Sequence, residues 1–66
     1  MQFYIQYRED KNKGWKFVKS EVTGQRIKFW ERRDAQRCME RVFNAGYDAQ
    51  IVVFETKMKW LERKER

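Results

Sequence analysis

Between residues 11 and 30 the cations Lys11, Lys13, Lys16, Lys19, Arg26 and Lys28 are interleaved with the rings of Trp15, Phe17, Phe29 and Trp30. Flexible cations neutralise phosphates and release counterions, and exposed rings stack on unpaired bases at about 1 to 3 kcal/mol each. The same residues have a plainer reading, in which lysines keep a small protein in solution and aromatics fill its core. Regional clustering of charge favours the first. Residues 1–33 carry nine basic and four acidic side chains, residues 34–56 two and four, and residues 57–66 five and two. Positive potential concentrated in this way attracts anionic partners.

Two further basic features accompany the ribbon. Arg33, Arg37 and Arg41 recur every four residues and form a ladder suited to a phosphate backbone. Glu40, three residues after Arg37, gives the ladder an alternative reading as an ordinary solvated helix face. Lys57, Lys59, Arg63, Lys64 and Arg66 surround Trp60 in a basic C-terminal stretch diluted by Glu62 and Glu65.

Catalysis finds little to work with. The chain has no histidine and one cysteine, Cys38, which lies beside Met39 on an apolar stripe where a thiol behaves as a small hydrophobe. Asp34, Glu40, Asp48 and Glu55 are scattered over helix, turn and strand, so nothing pairs them for acid–base work. No phosphate-cradling glycine loop, nucleophile elbow or metal motif occurs. The expectation is a binding protein without enzymatic activity, cofactor or metal.

These residues must be positioned by a small scaffold. The 66 residues carry a net charge of +6 with eleven aromatic side chains and no proline. A chain of this length makes one thin core, burying only about 60% of the surface its unfolded form exposes. A lone cysteine forms no internal disulfide and fits a reducing setting. No secretory leader or membrane-length apolar run is read, so a soluble, cytoplasmic protein with no membrane partner is expected.

The hydrophobic period places the elements. Gln2–Arg8 alternates, with Phe3, Ile5 and Tyr7 on one face and Tyr4 on the other. The polar run Glu9–Gly14 reads as a hairpin loop, Trp15–Val22 as a second strand of imperfect alternation, and Thr23-Gly24 as a turn into a short third strand, Gln25–Trp30. Ala35, Cys38, Met39, Val42 and Phe43 then repeat at helical spacing, with Asp34 in the first turn and Gly46 as the stop. Ala49–Thr56 is apolar on both faces, the pattern of a central strand. Residues 57–66 read as a basic tail or short, partly ordered helix appended to a compact 1–56 domain, with an extension of the preceding strand as the alternative.

The fold class is therefore α+β, a three- to four-stranded mainly antiparallel sheet in the order β-β-(β)-α-β with one helix on one face. Phe3, Tyr7, Ile27, Phe29, Val42 and Phe43 are assigned to the core. One helix covers one sheet face, leaving Tyr4, Val18, Val22, Val52, Phe54 and Trp60 as candidates for the uncovered face. Such a patch marks an interaction site, for a ligand, a host protein or a second copy in a homodimer.

Asp34, Ala35, Val42, Gly46, Tyr47, Ala49, Ile51 and Val53 look like the helix, Gly-Tyr turn and strand in half of a SPOR domain, and Phe3-Tyr4-Ile5-Gln6 resembles that family's first strand. A hairpin of some twenty residues intervenes and the second half-repeat is missing, so glycan binding is not carried over. The chain is also similar in style to small bacteriophage and mobile-element proteins. The leading expectation is nucleic-acid binding, single strands over duplex, through Lys11, Lys13, Trp15, Lys16, Lys19, Arg26, Lys28, Trp30, Arg33 and Arg37. The alternative is a viral inhibitor or adaptor that binds a host protein through Tyr4, Val18, Val52, Phe54 and Trp60.

Overall fold

The computed structural model describes all 66 residues, Met1–Arg66. Four strands and one helix follow in the order β1 (Phe3–Arg8), β2 (Lys16–Phe17), α1 (Arg32–Asn44), β3 (Asp48–Phe54) and β4 (Met58–Lys64). The strands form one antiparallel sheet in the order β2-β1-β3-β4. No helix is long and apolar enough to cross a membrane.

The α+β architecture follows the alternation of β1 and the doubly apolar β3. β1 pairs with β3 from Phe3 opposite Val53 to Arg8 opposite Asp48, so odd residues of both strands point one way. Phe3, Ile5, Ala49, Ile51 and Val53 meet Ala35 and Met39 of α1 there and form the core. Val18, Phe29, Cys38, Val42, Phe43 and Leu61 pack around its margin.

α1 begins at an extended Glu31 with no side-chain cap, and Asp34 in the first turn complements the helix dipole instead. Its end is built more firmly. Gly46 takes φ +109, its N–H donates to Phe43 O at 3.0 Å, and Tyr47 N–H donates to Val42 O at 3.4 Å. These two bonds make a Schellman motif, which needs the left-handed conformation glycine adopts freely.

Three expectations about the elements are corrected. The second strand shrinks from Trp15–Val22 to Lys16–Phe17 because Ser20 diverts the chain: its Oγ accepts from Val22 N at 3.2 Å and Thr23 N at 3.4 Å. Val22 consequently sits at a turn tip, 94% exposed, and not on the sheet face. The third strand, Gln25–Trp30, is not a strand. Residues 16–18 already occupy the outer edge of β1 opposite residues 5–7, leaving a place only for Phe29, which exchanges two backbone bonds with Phe3 at 2.8 and 2.9 Å.

The third correction concerns the C-terminus. Met58–Lys64 is neither tail nor helix but the edge strand β4, paired with β3 from Phe54 opposite Met58 to Ala49 opposite Lys64. A register shift between Ile51 and Val52 leaves Leu61 as the extra residue of a β-bulge. The bulge turns Leu61 onto the core while Trp60 and Arg63 face away from it. Adjacent Trp60-Leu61 breaks the period-two pattern in the sequence for this reason.

Two carboxylates hold β4 and the chain end in place. Asp48 accepts from Arg66 N at 2.9 Å and from Arg8 Nε at 3.0 Å; Glu62 accepts from Gln36 Nε2 at 3.0 Å and Arg32 Nε at 2.9 Å. The Arg66 N–H, then the Arg8 side chain, lower the Asp48 pKa, and Gln36, then Arg32, lower that of Glu62. A lowered folded-state pKa contributes stability that is complete above the unfolded values, about 3.9 for Asp and 4.3 for Glu, and lost as pH falls through the lower folded values. The thermal midpoint therefore drops as pH falls below about 4, and Asp48→Asn with Glu62→Gln flattens that dependence. Circular-dichroism melts from pH 6 to pH 2 test this; an acid slope unchanged in the double variant contradicts it.

Candidate functional site

Even positions of β1 and β3 face away from α1, and no helix covers them. The register places Tyr4 against Val52, Gln6 against Gln50 and Arg8 against Asp48 on this open face. Phe17 joins from β2 opposite Gln6, and Met58, Trp60 and Arg63 from β4 opposite Phe54, Val52 and Gln50. The face is apolar where the rings lie and polar where the glutamines cross it.

At one end the rings of Tyr4, Phe17 and Phe54 form a cluster. Tyr4 meets Phe54 edge-on at 5.4 Å and Phe17 edge-on at 6.2 Å, while Phe17 and Phe54 stack at 6.0 Å. Arg26 lies over Phe17 with its guanidinium carbon 3.8 Å from the ring centre. Lys16, Lys19 and Arg26 line one shallow depression with Phe17 and Tyr7. The backbone bridge between Lys19 and Arg26 brings those two cations together from either side of the Ser20 turn.

At the other end a groove of about 720 Å³ runs between Trp15 and Trp60, lined also by Gln6, Gln50, Met58, Lys59 and Arg63. Arg63 lies 4.4 Å from the Trp60 ring centre and 5.2 Å from that of Trp15, and Arg8 lies 4.3 Å over Trp15. Guanidinium over indole is a favourable cation–π geometry that holds each ring in place. Arg63 Nε also donates to Gln50 Oε1 at 2.7 Å, and Gln50 Nε2 to Gln6 Oε1 at 2.6 Å. The groove thus has a hydrogen-bonded floor and aromatic sides.

The basic ribbon is only partly assembled. Lys19, Arg26 and Trp15 border the open face, while Lys16, opposite Tyr7 on the edge strand, has the parity of the helix side and reaches the face only at its rim; Lys13, Lys16, Lys19, Arg26 and Lys28 make no ion pair. Lys11 is within 3.9 Å of Glu65. Trp30 is exposed on the stretch between Phe29, which packs on the core, and the start of α1, and stacks with no ring or cation on the open face. Phe29 belongs to the core margin, not to a stacking surface. Arg33 and Arg37 sit exposed on α1, across the sheet from the open face, and Arg33 contacts Glu31 at 3.9 Å.

Of the uncovered-face set, Tyr4, Val52, Phe54 and Trp60 lie together as expected. Val52 is nevertheless fully buried, because Tyr4 and Trp60 stand directly across from it on either side. Val18 is corrected: it packs against the core on the helix side, since the chain advances one residue beyond Phe17 and the side chain turns over. Gln6, Gln50, Met58 and Arg63 were missed as groove residues. The sequence carried a signal for two of them, since Gln6 shares the parity of Tyr4, and Gln50 is the one polar position between Ala49 and Phe54 with the parity of Val52.

Cys38 stays outside this site. It is half-buried on α1, and burial pushes its thiol pKa up, with Arg41 partly opposing. A raised pKa leaves it a thiol at neutral pH. Comparison with known proteins found no family model, curated protein or solved structure that matches the chain, and the half-SPOR resemblance therefore rests on the quoted residues alone.

Proposed function

We propose that this protein binds single-stranded nucleic acid on its open sheet face, bases against the rings and phosphates against the bordering cations. The observation that carries the reading is the co-location on one helix-free face of two aromatic stations, Tyr4-Phe17-Phe54 and Trp15-Trp60, with Lys19 and Arg26 beside the first and without a carboxylate partner. Unpaired bases stack on rings displayed by open sheets, and such stacking tolerates any sequence. A duplex hides those base faces. A reducing, cytoplasmic setting agrees with the lone thiol, and a phage-encoded or mobile-element origin with the small size.

Lys19 and Arg26 lie beside the face, and Lys16 and Lys59, opposite Tyr7 and Val53 on the two edge strands, stand at its rims; none of the four makes an ion pair. Four neutralised phosphates on a single strand give a slope of log affinity against log salt of about −3. Fluorescence anisotropy of a labelled oligonucleotide, titrated from 50 to 300 mM salt, tests this. Affinity insensitive to salt, or no binding at 50 mM, overturns the reading. In that event the free outer edge of β4, a seven-residue strand, favours a protein partner or a second copy joined by strand addition.

A further inference from the structure

Gln6 is 4% exposed, yet it contributes to the floor of the Trp15–Trp60 groove. The side-chain chain beneath the groove fixes its orientation. Arg63 donates to Gln50, whose amide NH2 donates to Gln6 Oε1, so the Gln6 oxygen points into the chain and its NH2 points onward. The only acceptor that NH2 meets is Met58 Sδ, at 3.6 Å. A thioether is a weak acceptor, and a buried amide normally has a strong one. Met58 itself is 47% exposed near the start of the edge strand, with an unbranched, easily repositioned side chain.

We infer that Gln6 donates to a carbonyl oxygen of a nucleobase lodged between Trp15 and Trp60, with Met58 holding the place of that oxygen in the free protein. This rests on the nucleic-acid reading and adds a base preference to it. Arg63 and Gln50 keep the Gln6 donor aimed into the groove, and the indoles supply stacking that does not discriminate. Uracil and thymine carry two ring carbonyls and hypoxanthine one, whereas adenine carries none: it presents a donor amine where hypoxanthine has its carbonyl and leaves only ring nitrogens to accept. Discrimination therefore comes from one hydrogen bond. Its loss corresponds to about fivefold in affinity.

The test uses hexauridylate, hexaadenylate and hexaadenylate with inosine at one central position, titrated against the intact protein at 50 mM salt with tryptophan fluorescence as the readout. Hexauridylate binds about fivefold tighter than hexaadenylate, and the single inosine, which keeps the ring system but exchanges the amine for a carbonyl and places a proton on N1, recovers part of that gain. Gln6→Leu abolishes the preference, and Met58→Leu, which removes the sulfur but keeps the amide, retains it. The wild-type inosine comparison needs no variant, so it decides the matter even where Gln6→Leu folds poorly. Equal affinity for all three oligonucleotides, or a preference that survives in folded Gln6→Leu, overturns the carbonyl assignment and leaves nucleic-acid binding standing. Failure of every oligonucleotide to bind overturns the underlying reading.

Discussion

Ile51→Ala destabilises the protein by about 3 to 4 kcal/mol, within the range for truncating a fully buried isoleucine. Ile51 is wholly buried in the central strand, with Ile5 beside it on β1 and α1 above. A 66-residue domain has about 3 to 10 kcal/mol of total stability, so the loss takes between a third and all of it. With only eight buried apolar residues, the core has few neighbours able to close the cavity. Val52→Ala is the internal comparison. It removes about two methylene equivalents from under Tyr4 and Trp60, whose rings can settle into the space, and costs about half as much. Urea denaturation followed by circular dichroism measures both. A loss below about 1 kcal/mol for Ile51→Ala contradicts the burial of this side chain between β3 and α1.

The same residues explain what the sequence could and could not disclose about the fold. β1, α1 and β3 are legible because each carries a pattern in its residue types: the alternation of Phe3, Ile5 and Tyr7 with Tyr4 and Gln6, the i, i+3, i+4 stripe of Ala35–Phe43, and the unbroken apolar run Ile51–Phe54. Gly46 stops the helix as its backbone freedom requires. The hairpin and the C-terminus are not legible in this way. Residues 25–30 alternate well enough for a strand, but whether they become one depends on whether β1 has an edge free, and that is a property of the assembled sheet. In β4 the bulge at Leu61 erases the alternation that would have identified it.

For the site, parity carried most of the information. Tyr4, Val52 and Phe54 share the open face as strand alternation assigns them, whereas Trp60 joins them through the pairing of β4 with β3, which alternation does not disclose. Val18 was misplaced because the second strand's faces depend on whether Trp15 and Phe17 or Val18 and Val22 turn inward, and the Ser20 turn removes Val22 from the contest. Charge counting along the chain could not separate Lys19 and Arg26, which border the face, from Arg33 and Arg37, which the helix carries to the other side. Regional net charge is blind to the layer in which a residue ends up.

Trp15→Ala and Trp60→Ala each weaken single-strand binding by about 5- to 150-fold, the effect of removing about 1 to 3 kcal/mol of base stacking. Neither ring is in the core cluster, and Trp60 is 52% exposed, so both variants keep the fold and the loss appears in affinity. The two effects are not additive. Arg63 touches both indoles and also holds Gln50, so removing one ring frees the guanidinium to shift against the other. A double-mutant cycle gives a coupling between them, and Arg63→Lys, which cannot reproduce the planar stack, lowers affinity further than loss of a point charge would. Trp30→Ala supplies the control, because a ring that is 69% exposed but outside the groove adds hydrophobic surface without a station for a base. Equal losses in all three tryptophan variants would point to nonspecific aromatic contact; losses confined to Trp15 and Trp60, with unchanged salt dependence, locate the base between them.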